Sequence, residues 1–307
     1  MPDRGLRRPF LSVVLSLVPL CVATPGTSQE WRDFRAARQA GDLEAVDVHL
    51  LYPGGRLSVS PSETPLLYDA RLHYDAADWA PRRTWRREGG TGQFRFTVSS
   101  LADGQGEVEA SIRLDPGDLG FDLEDLPRDA GDTGRLSLAL HPSVPIRLKL
   151  GVGAGRARLQ LGGLALTAFE FATGASDARL SFARENRVPM ELLSIKSGAT
   201  GFAGEHLGNA RFERLEFYGI VGDVVLDFSG VWRSSAEAEI KIVLGELVMR
   251  VPSNIGVRVR RSGLGSFSAE DLQKVGEDWV SPNWEGARVQ LDITVTAGLG
   301  SVTVERS

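Results

Sequence analysis

The sequence is poor in the residues that most soluble chemistry relies on. It has one cysteine, Cys21, three methionines and four histidines. Cys21 lies in a segment that reads as a removable leader, so the remaining chain has no disulfide, no thiolate nucleophile and no cysteine ligand for a metal. The histidines, His49, His73, His141 and His206, show none of the close pairings that mark zinc sites. No Gly-x-Ser-x-Gly elbow and no phosphate-loop lysine motif occurs. After residue 23 there is no apolar run of the ~18 residues that a membrane-spanning helix needs. An excess of positive charge is missing too: 40 acidic residues face 35 lysines and arginines. Without the first 23 residues, counting from the sequence, 39 acidic residues face 32 basic ones. That balance disfavours a phosphate backbone and so excludes nucleic acid as the expected partner.

Glycine is abundant, with 35 residues and no Gly-X-Y period. Together with 42% hydrophobic and 24% charged residues, this predicts a globular all-β chain with many tight bends. Residues 1–23 have the pattern of an export signal. Arg4, Arg7 and Arg8 precede an uncharged run from Phe10 that ends in Cys21-Val22-Ala23. Cys21 follows Pro19 and Leu20 rather than a small residue, which argues against lipidation. Arg7-Arg8-Pro9-Phe10-Leu11 resembles a twin-arginine signal without its preceding polar residue and following lysine, so the general secretory route is favoured.

Residues 24–44 form a leader. Trp31, Phe34 and Ala37 have helical spacing there, consistent with one short amphipathic helix or with a flexible segment. From Val46 the period becomes two. Residues 45–114 then read as an N-terminal antiparallel β-domain, with a turn at Pro53-Gly54-Gly55 and a long hairpin loop, Asp75 to Gly92, that carries Trp79 and Trp85. Residues 115–134 are an acidic loop or linker. A calcium site is the alternative there, but the carboxylates do not follow helix-loop-helix spacing.

Residues 135–232 show an internal repeat. Ala154–Leu161 and Ala175–Phe182 align at an offset of 21, and Val221–Phe228 follows about two periods later. A repeat of this length is one turn of a β-solenoid, whose coils bury their inward residues against one another, with an antiparallel sandwich as the structural alternative because the copies are imperfect. At ~20 residues per coil and ~4.8 Å per level, residues 136 to 305 predict about eight coils and a rod near 40 Å tall. The ends of such a stack need caps, and the N-terminal β-domain is the candidate for one of them. Gly153, Gly174 and Gly222, which introduce the repeats, are the expected bend glycines. Residues 233–307 form a C-terminal β-domain.

Several segments of the chain resemble known families. Leu57-Ser58-Val59 and Leu66 to Tyr74 are similar to the N-terminal domain of toast-rack proteins, and Val144 to Gly155, Leu207 to Ala210 and Gly222 to Gly230 are similar to that family's repeat body. Leu244 to Pro252, Gly256 to Val259, Ser281 to Ala287 and Gly298 to Val304 resemble the C-terminal domain of LiaF-like, cell-wall-active-antibiotics-response proteins. The resemblance implies a right-handed β-solenoid with a small β-cap in an envelope protein, and it supplies no catalytic residue.

Four groups of residues are candidates for chemistry. Gly151-Val152-Gly153-Ala154-Gly155 superficially suggests a phosphate cradle, but an alternating strand rather than a helix follows it. His49 and His73 fall at polar phases and could meet across the sheet. Glu237 and Glu239 share a face, as Glu213 and Glu216 do only if a bend intervenes; such acids could cleave polysaccharide. Trp279 and Trp284 bracket Val280-Ser281-Pro282-Asn283, a turn-rich segment expected to project from the sheet. They serve either as partner anchors or as a seal over the last coil. The resulting expectation is an exported, non-enzymatic β-solenoid without a cofactor, acting as an adhesion or interaction scaffold for a cell-envelope protein or glycan. The rivals are a soluble sensor domain for a membrane partner and a carbohydrate-active enzyme.

Overall fold

A computed structural model of the protein describes residues 29–101, 134–199 and 201–307. The export signal at 1–23, the alternating run at 108–114 and the acidic stretch with its calcium alternative lie outside the described residues. The described chain is all-β, with seventeen strands in one sheet and a single 3-10 turn at Leu207–Ala210. Among the described residues no helix is long and apolar enough to cross a membrane.

The strands are β1 (Trp31–Gln39), β2 (Ala45–Pro61), β3 (Leu66–Asp75), β4 (Trp79–Glu88), β5 (Thr91–Ser100) and β6 (Arg135–Leu140). The body follows with β7 (Pro145–Gln160), β8 (Ala165–Ser181), β9 (Met190–Ala199), β10 (Phe202–Glu205), β11 (Phe212–Asp227) and β12 (Ala236–Val251). The C-terminal part holds β13 (Gly256–Gly263), β14 (Ser266–Ala269), β15 (Gln273–Val275), β16 (Asp278–Val280) and β17 (Gln290–Arg306).

Most levels of the solenoid consist of one long strand bent in its middle, which gives two half-strands on two faces. The levels stack in parallel as β5 with β6, then β2, β7, β8, β9 with β10, β11, β12, β17 and finally β13 with β14. At ~4.8 Å per level this is a stack ~38 Å tall. The 21-residue offset is real, since Ala154 pairs with Ala175 and Leu159 with Leu180. Period-two alternation sends every second side chain inward, and parallel register stacks these into columns. One column runs Phe94, Val48, Leu148, Phe169, Leu193, Leu215, Ala238, Ile293, Val259. All nine are buried, and the larger members each stabilise by roughly 1.5–3 kcal/mol.

The turns that close the coils are pinned by asparagine. Asn186 bonds both backbone groups of Leu166, and Asn209, one coil on, bonds Phe182 O and Val231 N.

Four expectations are corrected. Trp31, Phe34 and Ala37 lie in a strand, not a helix, because β1 pairs antiparallel with β3 from Trp31 to Gln39. Pro53-Gly54-Gly55 is a bend and not a hairpin turn: β2 runs through it in parallel with β7 on both sides. Antiparallel strands do occur at this end, as β1–β3–β6 and β4–β5, but β2 itself is a coil of the solenoid. The segment from Asp75 to Gly92 is largely β4, an arginine-rich strand that closes over β5, and Trp79 and Trp85 face the core. Finally, the bend glycine of β7 is Gly155 (φ 112°), two residues beyond Gly153, and in β8 the position in register with it holds Ser176. Gly222 is a bend glycine as expected, with φ 140°.

The two ends are built alike. The chain makes β2, moves outward to β5 and β6, then crosses back to β7 on the other side of β2. At the far end it leaves β12, builds β13 and β14 two levels out with β15 and β16 beside them, and returns to fill the gap as β17. The antiparallel pair β15–β16 covers part of β13, which limits the exposed strand edge.

Candidate functional site

The outward phases of the first half-strands form columns just as the inward ones do. Over the C-terminal levels one column reads Arg214, Glu237, Asp292, Arg258, and the next reads Glu216, Glu239, Thr294, Arg260. A third reads Tyr218, Lys241, Thr296, Ser262. Apart from Arg258, the first two columns line a groove of about 400 Å³, with Ala238 contributing to its lining.

Charges of both signs alternate in this groove. Asp292 accepts a hydrogen bond from Arg258 Nη2, and its Oδ1 lies 3.2 Å from Arg260 Nη2. Arg258 Nε is also 4.0 Å from Asp278. The Asp292 carboxylate beside it raises the pKa of Arg258. Lys241 Nζ lies 2.6 Å from Glu239, which likewise holds the lysine protonated. Among the described residues, Arg214, Glu216 and Glu237 have no ion-pair partner within 4.0 Å. They are the members of the groove left to meet a ligand.

The two tryptophans sit in different surroundings. Trp279 lies in β16 opposite Val259, its ring 5.3 Å from that of Phe267, and it packs against the core. Trp284 is half-buried, and the Arg258 guanidinium lies 4.9 Å from its ring centroid. It therefore stands beside the arginine that bonds Asp292 of the groove. The segment between them does not project freely. Val257 N donates to Ser281 Oγ, Asn283 Nδ2 donates to Ser253 O and Ile255 O, and Gln290 Nε2 donates to Trp284 O.

Of the acids singled out from the sequence, Glu216, Glu237 and Glu239 come together in the groove, while Glu213 does not line it. His49 and His73 do not meet. His49 pairs with Arg95 and Lys149, whereas His73 bonds Asp33 and stacks on Trp31 at 5.0 Å. The Gly151–Gly155 segment is the bend of β7 and opens no helix. Sequence reasoning missed Arg214, Arg258, Arg260 and Asp292. The 23-residue step from β11 to β12 would have aligned Arg214 with Glu237. The step from Glu237 to Asp292 spans 55 residues and carries no repeat signal, because the end cap intervenes.

No curated protein matches the chain. Among solved structures, a candidate cell adhesion protein from Clostridium sporogenes is similar at 15% identity, covering 91% of this chain and 100% of that one, with a TM-score of 0.46. A candidate adhesin from Bacteroides fragilis is similar at 12% identity, covering 91% of this chain and 98% of that one, with a TM-score of 0.36. The family model described as the N-terminal domain of toast_rack, DUF2154, matches residues 26–201, more than half of the sequence, and the chain belongs to that family.

Proposed function

We propose that the protein is an exported, non-enzymatic scaffold that holds cell-envelope glycan in the outer groove of its C-terminal coils. The groove itself carries this reading. Arg214, Glu216 and Glu237 offer donors and acceptors at fixed spacing, and sugar hydroxyls both donate and accept. The ring of Trp284, against Arg258 two levels beyond Glu237, suits the apolar face of a pyranose ring further along the same outer face. The sheet beneath is rigid, so little ordering entropy is lost on binding. Export is supported by the basic, apolar, small-residue pattern of residues 1–23. We read the C-terminal part as LiaF-like on the resemblance of Leu244 to Pro252 and Gly298 to Val304 to that family.

A second reading, glycan cleavage, is favoured only by Glu216 and Glu237 sharing the groove without ion-pair partners. Both readings are tested by co-sedimentation with purified peptidoglycan sacculi. Binding predicts that the parent is retained and that Arg214→Ala with Glu237→Gln weakens retention about tenfold at unchanged melting temperature. A parent that is not retained, or a double variant retained like the parent, overturns the proposal. Release of new reducing ends from the sacculi would move the assignment to cleavage.

A further inference from the structure

Next to the bend glycines lies a column that the fold does not explain. In the N-terminal levels its members are small: Gly54 pairs with Ala154 and Ala154 with Ala175. Ala199 continues the series, pairing with Val221. From there the column becomes large and aliphatic, as Val221 pairs with Leu244 and Leu244 with Leu299. Val243 and Leu264 extend the patch. All five are exposed, Leu299 by 61% and Leu264 by 86%. Since glycine and alanine serve at the same place four times, the bend does not require these side chains. Contiguous exposed aliphatics on a soluble domain mark an interaction surface.

The flanks of the ridge differ in chemistry. On one side stand Tyr218, Lys241, Thr296 and Ser262, all hydrogen-bond donors; on the other stand Asp223, Glu246, Ser301 and Ser266. We infer that the ridge is the contact between two copies of this chain, related by a two-fold axis parallel to the solenoid. Rotation about that axis brings the donor flank of one copy against the Asp223 and Glu246 flank of the other, and each ridge residue against itself. A two-fold axis across the ridge would instead oppose the acidic flanks of the two copies. The same carboxylates disfavour an anionic membrane surface. The ridge spans only four levels, ~14 Å, so the contact is smaller than that of an obligate dimer and the association is concentration-dependent. This inference is independent of what the groove binds.

Sedimentation velocity over a concentration series should show a monomer–dimer equilibrium. Leu244→Glu with Leu299→Glu should abolish it at unchanged melting temperature. If that pair unfolds the protein, Leu299→Ser should still weaken dimerisation severalfold. Single cysteines placed at Val221, Leu244 and Leu299, each in a Cys21→Ser background, test the geometry. A parallel axis predicts that all three form disulfide-linked dimers under oxidation, whereas a crossing axis allows one at most. A parent that stays monomeric, cross-linking at a single position, or a monomer that co-sediments with phosphatidylcholine vesicles through the ridge overturns the inference.

Discussion

Lys149 Nζ lies 3.1 Å from Glu170 Oε1 on adjoining coils, and both side chains are more than nine-tenths buried although they occupy outward phases of the sheet. Burial pushes the Glu170 carboxyl above its ordinary pKa, and the neighbouring lysine only partly opposes this. Such a pair contributes little net stability, because desolvation offsets the attraction, yet it is costly to break. Glu170→Leu leaves a buried ammonium without its counter-ion and should cost about 3–5 kcal/mol in urea denaturation. The double variant Lys149→Met, Glu170→Leu should recover most of that loss. A double variant as unstable as the single one would mean that the cost comes from packing rather than charge.

His49 occupies the same outward column, in register with Lys149. Burial, reinforced by Arg95 and Lys149, lowers its pKa to about 3. The unfolded chain binds a proton near pH 6.5, whereas the folded state does not until about pH 3. The contribution of His49 to stability is therefore complete above pH 6.5 and is lost progressively as pH falls towards 3, on the order of 5 kcal/mol in all. His49→Gln should flatten this slope. Denaturation at pH 7 and pH 4 checks it, and parallel losses in parent and variant would show that carboxylates alone set the acid sensitivity.

The bend glycines stack on one another. Gly245, at φ 139°, lies against Gly222, and a Cβ added there would overlap the Gly222 carbonyl. Conformation and space both exclude a side chain, so Gly245→Val should cost ~3 kcal/mol or more. Gly286→Ala, which would meet nothing within 4 Å, should change stability by less than about 0.5 kcal/mol. Equal melting temperatures for the two variants would contradict the stacked bend.

How far the sequence could be read follows from where its signals are local. The 21-residue offset appears in the sequence because β7 and β8 are successive levels with similar inward residues, Ala157 over Ala178 and Leu159 over Leu180. The bend at Gly55 reads as a hairpin because Pro-Gly-Gly is a turn signal in either case. Only the register of β2 with β7, about 100 residues apart, distinguishes them. β1 spaces Trp31, Phe34 and Ala37 like a helix because an end strand buries little, with Ala36 as its one fully buried residue. The groove was half legible: Glu237 and Glu239 share a face by strand period alone, whereas Asp292 and Arg258 reach them through a detour of the chain that no periodicity records.

Trp279 and Trp284, equivalent in the sequence, should respond differently to truncation. Trp279 is partly buried against Phe267 and the core at the last level. Its loss removes apolar contact where nothing beyond can collapse into the space, so Trp279→Ala should cost about 2 kcal/mol or more and loosen the β15–β16 pair first. Trp284 contributes to stability mainly through the face it offers Arg258, an interaction of ~0.5–1 kcal/mol at a partly exposed site. Its backbone is held independently by Ser281 and Gln290, so Trp284→Ala should leave the loop in place and the melting temperature within a few degrees of the parent. Retention on sacculi should show the reverse order, with a clear loss for Trp284→Ala and near-parental retention for Trp279→Ala at a temperature where both are folded. If Trp284→Ala instead destabilised as much as Trp279→Ala and bound like the parent, Trp284 would be part of the cap, and the outer face would lose its aromatic contact.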